Sequence, residues 1–166
     1  FNARAMMDAD KTATLHEVTS DVYFGEVINE NDHFDVIFID GLHTSEQTYR
    51  DFVNATRFLS PSGVIVIDDV TPFSYASSLP DYERTRAMRA ATGDKDKAWM
   101  GDVYRVVFMI DAFHQQYGFA TVVETMSQLI VWNERRVSAE IPSSTIQQLG
   151  GLPFEHTIIE RSLYRP

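Results

Sequence analysis

Three aspartates and a histidine fall where two apolar runs stop. "FDVIFID" (34–40) ends in Asp40, and "GVIVIDDV" (63–70) carries Asp68 and Asp69 behind its last isoleucine. His43 follows Asp40 by three residues. Hard cations such as Mg2+ take oxygen ligands, so Asp40, Asp68 and Asp69 form a candidate metal set. A histidine, with an ordinary pKa of about 6.5, can work beside them as a general base. Taken singly, an aspartate at a strand end is most often a turn former or helix cap, and His43 could be a local cap too. Their coincidence at two strand ends raises the set above that reading. Asp8 in "MMDAD" and Asp21 in "TSD" close two further apolar stretches, which makes five acids in one kind of position. In open parallel α/β sheets, ligands bind outside the carboxyl ends of the strands.

The elements that would hold these residues follow from periodicity. "FDVIFID" and "VIVID" (64–68) are nearly continuous and β-branched, the pattern of parallel strands covered on both faces. Between them, "HTSEQTYRDFVNATRFLSP" (43–61) reads as a helix. Thr44 and Gln47 have capping-box spacing, and Tyr49, Phe52, Val53 and Leu59 recur on one face. "SPSG" stops it. The strand–helix–strand unit predicts a right-handed parallel crossover. Upstream, "ARAMMDAD" (3–10) and part of "TATLHEVTSDVYF" (12–24) read as strands, with Thr19, Ser20 and Asp21 in a turn or cap and "YFGEVINEN" as a short helix.

Downstream, the polar connection 70–98 carries Pro72 and Pro80 and leaves a strand's carboxyl end, as a lid would. Residues 101–118 read as a helix capped by Asp102 and stopped by Gly118. "FATVVET" and "QLIVWNE" read as two antiparallel strands, and the tail from Arg135 as one or two short helices. The whole, 1–166, is expected to be a single α/β domain, a Rossmann-like and mostly parallel sheet flanked by helices.

Composition narrows the function. A formal net charge of −10 disfavours an extended nucleic-acid surface, which needs clustered Lys and Arg. The absence of cysteine excludes disulfides, zinc–thiolate sites and thiol catalysis, and fits a cytoplasmic setting. No apolar stretch approaches the roughly 20 residues that span a bilayer. Arg84, Arg86 and Arg89 read as a solvated helix face, and Trp99 and Tyr104 as core or lid anchors. His16, His33, His114 and His156 show no metal-ligand spacing.

"FDVIFIDGLHTSEQTYRDFVNATRFLSPSGVIVIDDV" resembles the second half of class I S-adenosylmethionine (SAM) dependent methyltransferases, and "WMGDVYRVV" is similar to a stretch of their bacterial members. The nearest likeness is to metal-dependent sugar O-methyltransferases; caffeoyl-CoA and catechol O-methyltransferases are more distant. The resemblance implies methyl transfer from SAM to a hydroxyl of a small molecule, assisted by Mg2+ or a similar cation, with His43 as base. It makes Asp40 a metal ligand on the cofactor side of the site, and Asp68 and Asp69 the acidic pair after the fifth strand. Asp8 matches the acid that holds the ribose hydroxyls of SAM, and Asp21 the adenine-side residue. It also implies the strand order 3-2-1-4-5-7-6.

One departure stands out. The family's first strand and Gly-rich turn have no counterpart in the sequence. The expectation is an N-terminally truncated chain whose first strand lies upstream of Phe1, unless "RAMMD" moves inward or a second chain, as in a homodimer, fills the gap. Two other classes stay open. One is a non-catalytic methyltransferase-like domain that binds or dimerises. The other is a Rossmann-type oxidoreductase, which would need a G-x-G-x-x-G turn.

Overall fold

A computed structural model describes residues 12–122, 127–136 and 146–159. The expected strand at 3–10, Asp8 included, lies outside the described residues. By its contacts the chain divides into two compact units, Phe1–Asp32 and His33–Pro166.

In the first unit, α1 (Ser20–Val22) continues as a π-turn over Tyr23–Val27. Thr19 caps it, its hydroxyl accepting from the Val22 N–H at 3.4 Å. The cap expected at 19–21 is therefore present. The strand expected within 12–24 is not, because that cap commits the chain to helix and the described part of 12–18 has no strand partner. Asp21 sits exposed in α1.

The second unit is built on a four-stranded sheet of order β1-β2-β4-β3. The strands are β1 (Phe34–Ile39), β2 (Leu59–Ile67), β3 (Gly118–Val122) and β4 (Gln128–Trp132). β1 and β2 are parallel, with Ile37 opposite Ile65 and Ile39 opposite Ile67. β4 runs antiparallel to both β2 and β3. The order reproduces the 4-5-7-6 half of the expected sheet. The described sheet is mixed, with one parallel pair and two antiparallel ones, so the α/β class holds while the mostly parallel character does not extend to these strands.

α2 (Ser45–Ala55) joins β1 to β2 and is capped by Thr44, whose hydroxyl accepts from the Gln47 N–H. Gln47 turns its side-chain amide forward to Asp51 at 2.9 Å. α2 ends earlier than its apolar spacing implied. Residues Thr56–Phe58 tighten into a 3-10 turn, and β2 already starts at Leu59. Pro61 explains this: it has no N–H to continue a helix and forces the residue before it into extended backbone.

The connection 70–98 is no bare loop. It holds buried Val70, Ala76 and Leu79 and then α3 (Tyr82–Thr92), capped by Asp81 and closed by Gly93 in the left-handed region at φ 71°. Arg89 departs from the solvated face expected of the three arginines. It is buried, pairs with Asp94 and Asp96, and donates to the Ala98 carbonyl. Arg86 does stay exposed, against Glu83.

α4 (Arg105–Phe113) is apolar nearly all round and accordingly buried. It is shorter than the expected 101–118 helix. Its N-cap is Tyr104, without a side-chain cap, and Gly118 opens β3 instead of stopping the helix. A Cβ on Gly118 would come within 2.7 Å of the Trp132 ring, so strand packing demands glycine there. Short helices α5 (Ile146–Gly150) and α6 (His156–Ile159) close the described chain. Tyr104 is a core anchor, buried and donating its hydroxyl to the Leu152 carbonyl at 2.9 Å. The core lies where α2 meets β1, β2 and α4, around Phe52, Ile65, Ile67, Val106 and Ile110.

β1 corrects an expectation. Its apolar run predicted burial on both faces. Instead Phe34, Val36 and Phe38 are 37%, 63% and 53% exposed. β1 is the edge of the described sheet, and α2 covers only its other face.

Candidate active site at the carboxyl ends of the parallel strands

The parallel register carries Asp40 and the Asp68–Asp69 pair to the same edge of the sheet. The ladder extends one residue beyond the strands, with the Asp68 N–H donating to the Ile39 carbonyl at 3.0 Å. The next residue, Asp69, adopts φ 64°. That left-handed conformation is uncommon for a residue with a Cβ, and aspartate tolerates it better than most. The Val70 N–H then donates to the Ser127 carbonyl at 3.1 Å, which fixes the far side of the turn.

His43 completes the corner. Its Nε2 lies 3.2 Å from Asp69 Oδ2 and 3.5 Å from Asp40 Oδ1. Donor atoms of Asp40, His43 and Asp69 all lie within 4.8 Å of one another. Asp40 is exposed, His43 half-buried, and Asp69 only 4% exposed. Asp69 Oδ1 is buried without a hydrogen-bond partner, as is Asp68 Oδ1. Burial pushes the Asp69 carboxyl up to about 6. His43 opposes the rise, and Asp68 and Asp40 add to it. Asp68 stands outside the three-residue cluster.

A second segment holds the histidine in place. His43 Nδ1 lies 2.5 Å from the Trp99 carbonyl oxygen. A carbonyl can only accept, so Nδ1 carries the proton. Trp99 is itself fixed by its indole N–H, which donates to the Leu79 carbonyl at 2.8 Å, and its ring centre is 5.0 Å from that of His43. Gly101, at φ 62°, lies against the His43 backbone so closely that a Cβ would sit 1.7 Å from the His43 carbonyl oxygen.

Asp102 follows. It was expected to cap its own helix, but it caps α2 from outside. Oδ1 accepts from the Ser45 N–H at 2.6 Å, Oδ2 accepts from the Ser45 hydroxyl at 3.1 Å, and Arg105 pairs with it at 2.5 Å. Trp99–Asp102 thus latches onto His43–Ser45. The sequence marked Trp99 as a core or lid anchor and Asp102 as a local cap; only the tertiary contact reveals the latch. A cavity of about 510 Å3, lined by residues that include Ser45, Tyr49, Pro80 and Arg105, opens on the Asp102 side and includes none of the corner residues.

Asp8 lies outside the described residues, and Asp21 belongs to the first unit. His114, dismissed on spacing, is a core histidine: Nε2 lies 2.9 Å from the Tyr49 hydroxyl and the ring meets Phe52 edge-on. Burial lowers its pKa, helped by Arg136.

Comparison with known proteins bears on the fold. Residues 2–70 match the family model described as a methyltransferase domain. No curated protein sequence matches the chain. Among solved structures, a protein from Klebsiella pneumoniae assigned as an O-methyltransferase aligns with a TM-score of 0.50 at 19% identity, over 80% of this chain and 56% of that one. A Staphylococcus aureus protein assigned as a caffeoyl-CoA O-methyltransferase aligns with a TM-score of 0.50 at 18% identity, over 78% and 56%. The chain therefore spans a little over half the length of these structures. The family match covers residues 2–70, and the fold of this chain is shared with part of those two structures.

Proposed function

We propose that the protein containing this chain transfers the methyl group of SAM to a hydroxyl of a small molecule, with the acceptor oxygen bound at the Asp40–His43–Asp69 corner. The observation that carries the reading is the convergence of these three side chains at the ends of adjacent parallel strands, with one carboxylate oxygen of Asp69 buried and unpaired. The oxygen would attack the methyl carbon in line as the carbon–sulfur bond breaks, sulfur keeping the electron pair and the corner removing the hydroxyl proton. The half-buried position of His43 and the exposure of Asp40 give that proton a way to solvent.

The donor set suits a divalent cation: two carboxylates and one imidazole within reach of one point, and an orphaned oxygen that needs a partner. Asp40 and Asp69 would hold it, and when bound it would lower the pKa of the acceptor hydroxyl. Asp21 and Asp8 remain the residues proposed for the nucleoside end of SAM. The acceptor class, a sugar or another hydroxylated ring, and a cytoplasmic dimer belong to the same proposal. Among the described residues no helix is long and apolar enough to cross a membrane.

A second reading, a non-catalytic methyltransferase-like binding domain, draws support from the open apolar face of β1. Calorimetric titration of the 166-residue chain with S-adenosylhomocysteine separates the two. Micromolar binding is expected of the enzyme reading. Absence of binding, with the chain folded by circular dichroism, would contradict it for this chain and favour the binding domain.

A further inference from the structure

We infer that His43 is a ligand of the cation through Nε2, rather than the base that the family resemblance makes it, and that the corner therefore prefers a transition-metal dication to Mg2+. The inference rests on the cation part of the proposed function and reassigns one residue within it.

The argument begins at Trp99. Its carbonyl takes the proton of His43 Nδ1, so Nε2 of the neutral ring presents a lone pair. That lone pair faces Asp69 Oδ2 at 3.2 Å and Asp40 Oδ1 at 3.5 Å. Three electron-rich atoms aimed at one another repel unless something positive lies between them. A proton on Nε2 would answer one oxygen of Asp69. It would leave Asp69 Oδ1 buried and unpaired, at the cost that buried polar groups rarely bear. A metal ion answers both needs, because a carboxylate can bind through either or both oxygens. The spacing also fits. Ligand atoms about 2.1 Å from a common centre stand about 3–4 Å apart, and these lie within 4.8 Å of one another before any ion draws them in.

The surroundings hold His43 as metal-ligating histidines are generally held. A ligand imidazole donates its other N–H to a carbonyl or carboxylate, which fixes the tautomer and aims the ring. Trp99 supplies that carbonyl, and its own position is set by the Leu79 carbonyl and by Gly101 against the His43 backbone. A nitrogen donor alters selectivity. Oxygen-only sites suit Mg2+, whereas imidazole favours later divalent metals. A base, by contrast, would need Nε2 free to meet the acceptor hydroxyl, and the two acids occupy that approach.

The test is pulsed electron paramagnetic resonance of the full chain loaded with Mn2+, together with competitive titration by Mg2+. The expected result is a nitrogen coupling on the bound Mn2+ that disappears in His43→Ala, and Mn2+ binding at least about ten-fold tighter than Mg2+. His43→Ala should weaken Mn2+ binding by about ten- to a hundred-fold, the scale seen when a ligand's environment is lost, and move Mg2+ binding far less. The wild-type coupling does not depend on any variant folding. Mn2+ bound without nitrogen coupling, and lost in Asp40→Asn but not in His43→Ala, would overturn the inference while leaving the cation reading intact. No cation binding at all would overturn both, yet leave SAM-dependent transfer to be judged by the homocysteine-analogue titration.

Discussion

Asp69 and Asp102 are both buried aspartates, and they are treated in opposite ways. Asp102, 5% exposed, has each oxygen satisfied: one by the Ser45 N–H, the other by the Ser45 hydroxyl and the Arg105 guanidinium. Asp69 has a left-handed backbone, the His43 imidazole as its nearest partner, two acids close by and one oxygen with no partner. The first is a structural clamp, and the second is the residue we propose as part of the site. The histidines repeat the contrast. His114 lies among Tyr49, Phe52 and Tyr117, while His43 points its free nitrogen at charge.

The sharpest break of this comparison is Asp102→Ala. It removes the ion pair of Arg105, leaving that guanidinium with the Leu152 carbonyl, and unhooks the start of α2, and should cost about 3 kcal/mol of unfolding free energy in urea titrations. A loss below about 1 kcal/mol would mean the clamp is ornamental. Asp69→Asn should act in the other direction. Asparagine keeps the left-handed backbone accessible and removes the charge. The folded carboxyl lies at about 6 against 3.8 for the ordinary value, so the folded state binds more protons between those values. Stability therefore falls as pH rises through that window, and the penalty is complete above it. With chelator at pH 8, Asp69→Asn should be more stable than wild type by up to about 3 kcal/mol, with the gain vanishing near pH 4. It should also lose Mn2+ binding, a gain in stability at the expense of the site.

Gly101→Ala tests the latch between the two regions. A Cβ 1.7 Å from the His43 carbonyl oxygen, at positive φ, must push the segments apart. A cost of about 2 kcal/mol is expected, along with quenching or shift of Trp99 emission in a Trp132→Phe background. His114 provides a pH signature of the satisfied region. Its folded pKa is lowered, so the unfolded state binds the proton more readily, and stability should drop as pH falls below about 6.5, no more steeply than about 1.4 kcal/mol per pH unit. His114→Gln should flatten that slope, which urea midpoints at several pH values would reveal. Arg86→Ala, breaking an exposed pair with Glu83, should change stability by less than about 0.5 kcal/mol.

Much of the sheet was legible. The two apolar runs and their parallel pairing follow from β-branched stretches and the helix between them, the order of the later strands was implied by the family resemblance, and the acids at the strand ends were visible at once. Three things were not. The open face of β1 depends on what lies beside the strand, which a strand's own residues do not state. The role of Asp102 depends on a partner 57 residues away, so local spacing assigned it to the wrong helix. The tautomer of His43 depends on a backbone carbonyl 56 residues away, and a carbonyl leaves no mark in the sequence.

The most direct measurement is anomalous diffraction at the manganese edge from crystals of the chain grown with Mn2+. The account predicts one strong peak within about 2.3 Å of Asp69, Asp40 and His43 Nε2, with Asp69 Oδ1 no longer orphaned. A corner free of anomalous density at saturating Mn2+, with His43 Nε2 hydrogen-bonded only to the two carboxylates, would contradict it.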